Sequence, residues 1–260
     1  MVSSDFINTS KNKGNNLLNF FKNLFGHQLK TYDLYIPFGR SCHCTMILQN
    51  ENLRSFSQVF DWLIPDDYGI EPIQTRFDLF HDFTPFFNQE DYSFHREKVS
   101  TSNHYIVTNN KYHFEIGHDF EITKSDEENL KFFKIKYLRR WKRTWTNIEK
   151  ADKICFVYMV NTWTQMGATS TLDLNIVKEN IQKLREKYPA KQIDFIIFEH
   201  AKKMKKGKIK TKKIDNGIIK YLSNHSYRAN DNKFSDIITI KKILSNYKLS
   251  GKIQKDGNEH

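Results

Sequence analysis

The sequence predicts an α/β fold: a mixed, mostly parallel sheet covered by helices, with an irregular aromatic-rich insertion. In the C-terminal part of the 260-residue chain, continuous apolar runs alternate with amphipathic stretches of helical periodicity. Strands that are buried on both faces and alternate with helices are typical of a parallel sheet with crossover connections. The chain also contains 21 Phe, 12 Tyr and 4 Trp, which supply the apolar surface of a substantial core.

The N-terminal part of the chain is predicted to lead from a tail into a strand, a turn and a helix. Residues 1–30 are interpreted as a flexible tail followed by an amphipathic helix, because apolar residues recur there at three- and four-residue spacing. The compact apolar run over residues 32–38 predicts a buried strand that ends at the turn residue Gly39. A helix is then expected over residues 42–50.

The middle of the chain is expected to hold the aromatic-rich insertion. Within it, residues 105–107 and 112–116 have the composition of paired strands. A long helix over residues 125–148 is predicted next, because Ser125 and Glu128 have the spacing of a capping box. The remaining predicted elements are strands over residues 154–160, 193–198 and 218–222 and helices over residues 172–188 and 237–249.

The organisation of the chain predicts one domain in a reducing compartment. Few glycines and prolines interrupt it, so we expect a single α/β catalytic-type domain over residues 31–250 and a disordered tail over residues 251–260. Three cysteines are too few, and odd in number, for a secreted disulfide framework. No apolar run is long enough to cross a bilayer, and the first residues lack the features of a signal peptide. A cytoplasmic location is therefore expected.

The net charge of +11 is unevenly distributed and raises the question of an anionic partner. Lysines are concentrated in the segment Lys202–Lys213. Such a segment is either a solvated loop or hairpin or a contact for a polyanion, and the sequence leaves both open. No glycine-rich phosphate-binding loop is present, so no nucleotide cofactor is expected.

The most informative local feature is Cys42, which follows a predicted strand and Gly39 and begins a predicted helix. At the start of a helix, backbone N–H groups and the helix dipole favour a thiolate over a thiol. Because the thiolate is the reactive species, this position suits nucleophilic catalysis. The alternative is a small, buried and inert cysteine.

Several short motifs of the sequence occur together in one order. They are Gly39-Arg-Ser-Cys42, Leu53-Arg54, Phe60-Asp61-Trp62-Leu63, His118-Asp119-Phe120 and Tyr137 with Arg139, Arg140 and Arg143. This ordered set resembles DUF1796, a family described as papain-like cysteine peptidases. The resemblance covers roughly residues 32 to 200, including the apolar strand that follows the basic helix. It implies a thiol-dependent hydrolase or acyl transferase that acts on an amide or ester of a peptide or glycan-linked substrate.

The resemblance also implies roles for particular residues. Cys42 corresponds to the nucleophile and His118 to the general base that takes the thiol proton. The motif does not fix the third, orienting group. Asp61 is its first candidate, because a carboxylate beside such an apolar segment needs a partner. The side chain of Asp119 is expected to face away from that of His118 if both lie on a strand. The string His81-Asp82-Phe83 repeats the local motif and stays open as an alternative to His118.

Three further readings stay open beside the peptidase. An enzyme of surface-polysaccharide biosynthesis could use the same loop on a glycan or phosphoester. A non-catalytic binding protein would contain Cys42 as a structural residue. The string Cys42-His43-Cys44 could also belong to a metal site, but its spacing differs from that of the usual zinc motifs. We therefore expect no metal. An α+β arrangement of the papain type is the alternative to the α/β fold.

Overall fold

The computed structural model describes most of the chain. The described residues are 29–39, 42–65, 72–101, 103–159, 172–201, 203–224, 227–228, 233–234 and 237–254. The predicted N-terminal tail and nearly all of the predicted helix that follows it lie outside these residues. The last six residues of the predicted C-terminal tail lie outside them too.

The described residues form strands β1 to β13, helices α1 to α5 and two short 3-10 helices. The strands are β1 (Lys30–Tyr32), β2 (Leu34–Pro37), β3 (Leu63–Pro65), β4 (Tyr92–Thr101), β5 (His104–Asn109), β6 (Phe114–Ile116), β7 (Lys153–Met159), β8 (Gln192–His200), β9 (Ile209–Asp215), β10 (Ile218–Ser223), β11 (Tyr227–Arg228), β12 (Lys233–Phe234) and β13 (Tyr247–Leu249). The helices are α1 (Cys42–Asn50), α2 (Pro72–His81), α3 (Asp126–Lys150), α4 (Leu174–Lys187) and α5 (Ile237–Leu244), with the 3-10 helices at Thr84–Phe87 and Gln89–Asp91.

The main sheet has five strands in the order β2-β7-β8-β10-β9. The first four are parallel, and β9 pairs with β10 in the antiparallel direction. The middle strand β7 is buried along almost its whole length, as the continuous apolar run predicts. The mixed α/β class is therefore confirmed.

Helices and apolar side chains cover both faces of this sheet. Alternate residues of β7 face opposite sides, so Phe156 belongs to one core cluster and Val157 to the other. The cluster around Phe156 also contains buried residues of α2, α3 and α4, and the cluster around Val157 contains residues of α1 and α5. Helix α1 therefore packs on the sheet face opposite to the long helix α3.

The aromatic-rich insertion is regular, and the prediction of an irregular insertion is wrong. It forms a four-stranded antiparallel sheet in the order β3-β6-β5-β4, together with α2 and the 3-10 helices. The predicted pairing of its middle strands is confirmed by the register Val107↔Ile116. The sequence does not reveal the sheet because β3 and β6 have three residues each and most of their partners are distant along the chain.

Helix boundaries are correct where a local signal marks them and wrong where tertiary pairing decides. Helix α3 begins at the predicted capping box, in which Ser125 accepts from the N–H of Glu128 and the Glu128 carboxylate accepts from the N–H of Ser125. The predicted helix over residues 237–249 instead ends at Leu244. The residues beyond it form β13, which pairs with β1 in the register Lys30↔Tyr247. That long-range pairing carries no local sequence signal.

Candidate active site

Cys42 lies at the start of helix α1, a short connection beyond the carboxyl end of β2. It is half-buried, whereas Cys44 and Cys155 are buried. The sulfur of Cys44 donates to the carbonyl oxygen of Val157 at 3.3 Å, and burial raises the pKa of Cys44 to about 12. Burial also raises the pKa of Cys155 well above its usual range. Cys42 is thus the most accessible of the three thiols.

The protonation of Cys42 differs from the prediction. Burial raises the pKa of the Cys42 thiol, although the nearby backbone N–H groups of Cys42 and His43 oppose that rise. The shift is therefore opposite in direction to the one that the helix start predicts, because the loss of hydration outweighs the effect of two backbone N–H groups. The same two donors stabilise negative charge on the sulfur once the proton leaves.

Asp61 lies beside helix α1 and is completely buried. It accepts hydrogen bonds from the hydroxyl of Thr45 at 3.0 Å and from the N–H of Gln58 at 2.8 Å. It also forms an ion pair with Arg54. Thr45 follows Cys42 by three residues, or nearly one helical turn. Asp61 therefore ties the first turn of α1 to the segment that follows it.

His118 is exposed and lies next to Trp62. The two rings meet edge to face, with 5.4 Å between their centroids. Although the residue is exposed, partial loss of hydration lowers the pKa of His118, and the neighbouring Asp119 carboxylate opposes that shift. The imidazole is therefore neutral at neutral pH, the state in which it can accept a proton.

The side chain of the neighbouring residue Asp119 is 2% exposed and faces the interior. Asp119 and His118 lie in a bend beyond β6, so the expectation for neighbours on a strand does not apply to them. Its carboxylate accepts a hydrogen bond from the Tyr137 hydroxyl at 2.8 Å and pairs with the ammonium of Lys136 at 2.5 Å. Both partners belong to helix α3. Asp119 thereby fixes the loop that presents His118.

The structure brings the motif residues together around two adjacent strands. In the ladder of β3 and β6, Leu63 pairs with Ile116. Asp61 lies two residues before Leu63 and His118 two residues after Ile116, so both residues flank the same end of this antiparallel ladder. Among the residues that the structure describes, no hydrogen bond joins Cys42, His118 and Asp61 to one another. What the structure shows is a connected set in which α1 contacts Asp61 and the neighbouring Trp62 contacts His118.

The second histidine motif lies elsewhere. His81 ends helix α2 and its ring lies 6.2 Å from the Trp145 ring, while Asp82 caps Thr84 by accepting from its N–H at 2.9 Å. The positive charges that lower the pKa of His81, after burial, belong to Lys187 and Lys183 on helix α4. These contacts place His81 near helix α4, and none of them involves the Asp61 and Trp62 segment.

Sequence reasoning missed the burial of the basic helix at this site. Arg140 is only 6% exposed, and Arg143 donates to the carbonyl oxygen of Ser57 at 2.7 Å. The signal that could have located Arg140 is helical spacing: it follows the buried Tyr137 by three residues and precedes the buried Thr144 by four.

The described residues were searched for a metal site and for a membrane-spanning helix. Among them, no group of three or more His, Cys, Asp or Glu side chains could hold a metal ion. The described helices include none that is long and apolar enough to span a bilayer.

A basic cavity of about 1080 Å³ lies at the other end of the main sheet. It opens at the amino ends of the parallel strands, roughly 20 Å from the edge that carries Cys42, as the length of seven-residue strand β7 implies. Lys213 from the predicted basic segment lines it, together with Lys30, Lys153 and Lys191. The segment itself forms part of the β9–β10 hairpin, whose lysines on β9 are exposed.

One comparison with known proteins gave a match. A family model described as "Putative papain-like cysteine peptidase (DUF1796)" matches residues 33–202. No curated protein and no solved structure matches the chain. The matched range runs from the residue before β2 to just beyond β8, and it includes Cys42, Asp61 and His118.

Proposed function

The chain belongs to the DUF1796 family of putative papain-like cysteine peptidases, and we propose that it is a thiol-dependent hydrolase of amide or ester bonds with Cys42 as its nucleophile. The observation that carries this proposal is the position of the Cys42 sulfur. It lies at the start of α1 beside the backbone N–H groups of Cys42 and His43, and it is the most accessible of the three thiols. A thiol in this position is ready to be stabilised as a thiolate when a base removes its proton.

In the proposed reaction His118 is that base. The Cys42 proton passes to the neutral imidazole as the sulfur attacks the substrate carbonyl and forms a carbon–sulfur bond. The imidazolium then returns the proton to the leaving amine or alcohol as its bond to the carbonyl carbon breaks. Water hydrolyses the resulting thioester, which regenerates the thiol and releases the acid.

The pKa shifts of Cys42 and His118 describe this pair before substrate binds. Burial raises the pKa of Cys42 and lowers that of His118, so both groups are uncharged before substrate binds. The proposal therefore requires His118 to reach the sulfur in the complex with substrate. Catalytic hydrogen bonds that are absent or long in a substrate-free protein commonly form only in that complex.

We assign Asp61 a positioning role instead of contact with the base. Its carboxylate is engaged by Thr45, Gln58 and Arg54, and it therefore holds the helix that carries Cys42. The orientation of His118 depends in turn on the anchored Asp119 and on the ring of Trp62.

The test is alkylation with a limiting amount of iodoacetamide, followed by peptide mapping of each cysteine. We expect Cys42 to react first and His118→Gln to slow its alkylation at neutral pH. The matched control is His81→Gln, which removes the histidine of the repeated motif and should leave the rate unchanged. Equal reactivity of Cys44 and Cys155 would contradict the assignment of Cys42, and equal effects of the two histidine variants would contradict that of His118.

The second candidate is an enzyme of surface-polysaccharide biosynthesis that uses the same loop on a glycan or phosphoester. The basic cavity lined by Lys153 and Lys213 favours it, because such a surface suits an anionic polymer. Turnover of a glycan substrate that survives Cys42→Ala would support this candidate and remove the thiol from the chemistry. A purely structural Cys42, as in a binding protein, predicts loss of stability in that variant without loss of any activity.

A further inference from the structure

Arg140 is a buried cation on the inner face of helix α3. Only 6% of the residue is exposed, and its Nε and Nη1 atoms are buried without a hydrogen-bond partner in the described structure. Its guanidinium lies over the ring of Tyr137, 5.2 Å from the centroid. A guanidinium keeps its charge throughout the pH range in which proteins are studied, so it cannot escape burial by losing a proton.

The acidic groups nearby are already engaged by other cations. Asp61 is paired with Arg54, and Asp119 is paired with Lys136 while it also accepts from the Tyr137 hydroxyl. Neither carboxylate contacts Arg140 among the described residues. A buried charge without a partner is strongly unfavourable. The positive charge of Arg140 therefore has no counter-ion among the described residues.

Other buried polar atoms without a partner lie in the segment 54–58, which contacts helix α3. Segment 54–58 packs against α3, since Arg143 donates to the carbonyl oxygen of Ser57 and lies over the Phe56 ring at 5.1 Å. Within that segment, the Nε of Arg54, the hydroxyl of Ser55 and the amide oxygen of Gln58 are buried and lack a partner. The guanidinium groups of Arg140 and Arg54 can only donate, so the buried atoms of these two side chains would be satisfied by an acceptor such as an oxyanion.

We propose that Arg140 binds an oxyanion, a carboxylate or phosphate group, and that this group belongs to the substrate of the hydrolase. The identity of the ligand as substrate rests on the proposed function, whereas the anion site itself does not depend on Cys42. The site belongs to the same set of motif residues, because Tyr137 bonds Asp119 beside His118. An oxyanion bound here would select substrates that carry a negative charge.

Binding of inorganic phosphate to the full chain, measured by titration calorimetry at low ionic strength, tests the site. Arg140→Met should raise the Kd for phosphate by about tenfold or more, because a charge-assisted hydrogen bond is lost. The matched control is Arg139→Met, which removes the same charge from an exposed position one residue away and should leave the Kd nearly unchanged. Because Met removes an uncompensated buried charge, Arg140→Met should unfold at no lower a temperature than the parent protein in phosphate-free buffer.

Two outcomes would overturn the proposal. One is phosphate binding that is absent in the parent protein or equal in Arg140→Met and Arg139→Met. The other is a marked loss of stability of Arg140→Met without phosphate, which would show that the guanidinium is satisfied within the protein.

A second measurement separates the anion site from the hydrolase. Cys42→Ala should keep the phosphate affinity, so that a failure of the thiol chemistry is distinguishable from a failure of the site. With active protein, the ratio of kcat/KM for the p-nitrophenyl monoester of succinate to that for p-nitrophenyl acetate should fall about tenfold in Arg140→Met. An unchanged ratio would contradict a substrate origin of the oxyanion and leave free phosphate as its source.

Discussion

Replacement of Asp61 by Asn tests the network that fixes the helix of Cys42. The substitution keeps the size of the side chain and an oxygen that can accept from Thr45 or Gln58. It removes the negative charge opposite Arg54 and leaves this guanidinium, whose side chain is 13% exposed, beside an uncharged amide. We expect a lower free energy of unfolding and a displacement of α1.

The size of the effect follows from the burial of the pair. Removing one partner of a buried ion pair costs about 3–5 kcal/mol, because the other charge stays buried without compensation. Arg54 still donates to Gln49 at 3.2 Å and the Asn keeps part of the hydrogen bonding, so we expect about 3 kcal/mol. In contrast, Thr45→Val removes a single neutral donor to the same carboxylate and should cost only about 1 kcal/mol.

Urea unfolding followed by tryptophan fluorescence measures both values, with Trp62 adjacent to the substituted residue. A double-mutant cycle with Arg54→Met isolates the pair, and the expected coupling between Asp61 and Arg54 is about 2 kcal/mol. A loss of less than about 1 kcal/mol in Asp61→Asn, together with a coupling near zero, would refute the reasoning that this ion pair holds the segment to α1.

Three further predictions concern the frame around the site. In Gly39→Ala the new Cβ would lie 2.6 Å from the Cβ of Cys44, so the start of α1 must shift. We expect a lower free energy of unfolding in urea and a changed rate of Cys42 alkylation. Ser125→Ala removes the capping box of α3 and should cost about 1 kcal/mol in the same assay, with little effect on thiol reactivity. Asp33 has a lowered pKa because hydrogen bonds from Ser250 and from backbone N–H groups outweigh its burial. The contribution of Asp33 to the free energy of unfolding is therefore present above about pH 3.9 and is lost as the pH falls through the lower folded-state pKa. Asp33→Asn should flatten the dependence of stability on pH in this range. An unchanged dependence would contradict the prediction.

The sequence predicts those parts of the fold that local chemistry determines. The strand, glycine and helix pattern located the start of α1 at Cys42, and the spacing of Ser125 and Glu128 located the start of α3. The continuous apolar run of β7 identified a strand buried on both faces. Each of these features depends on residues within one element or one turn.

The sequence does not predict the features that depend on distant partners. Arginine is usually a surface residue, so residue type argues against burial of Arg140, and only its helical spacing from Tyr137 and Thr144 indicates the inner face. The bonds of Asp61 depend on Thr45 and Arg54, which approach it only through the fold of the intervening turn. The pKa of Cys42 likewise follows from how deeply α1 packs on the sheet, and the helix start alone does not determine it.

The most direct test of the central claim is acylation of Cys42 by p-nitrophenyl acetate across pH, with peptide mapping of the acetyl group. Because the pKa of His118 is lowered, the rate for the parent protein should reach a plateau near neutral pH. His118→Gln should be roughly a hundredfold slower there and rise through the alkaline range, since the raised pKa of Cys42 delays thiolate formation. Acetyl transfer to Cys42 with this difference is the predicted result. An unmodified Cys42, or identical profiles for the parent protein and His118→Gln, would contradict the account.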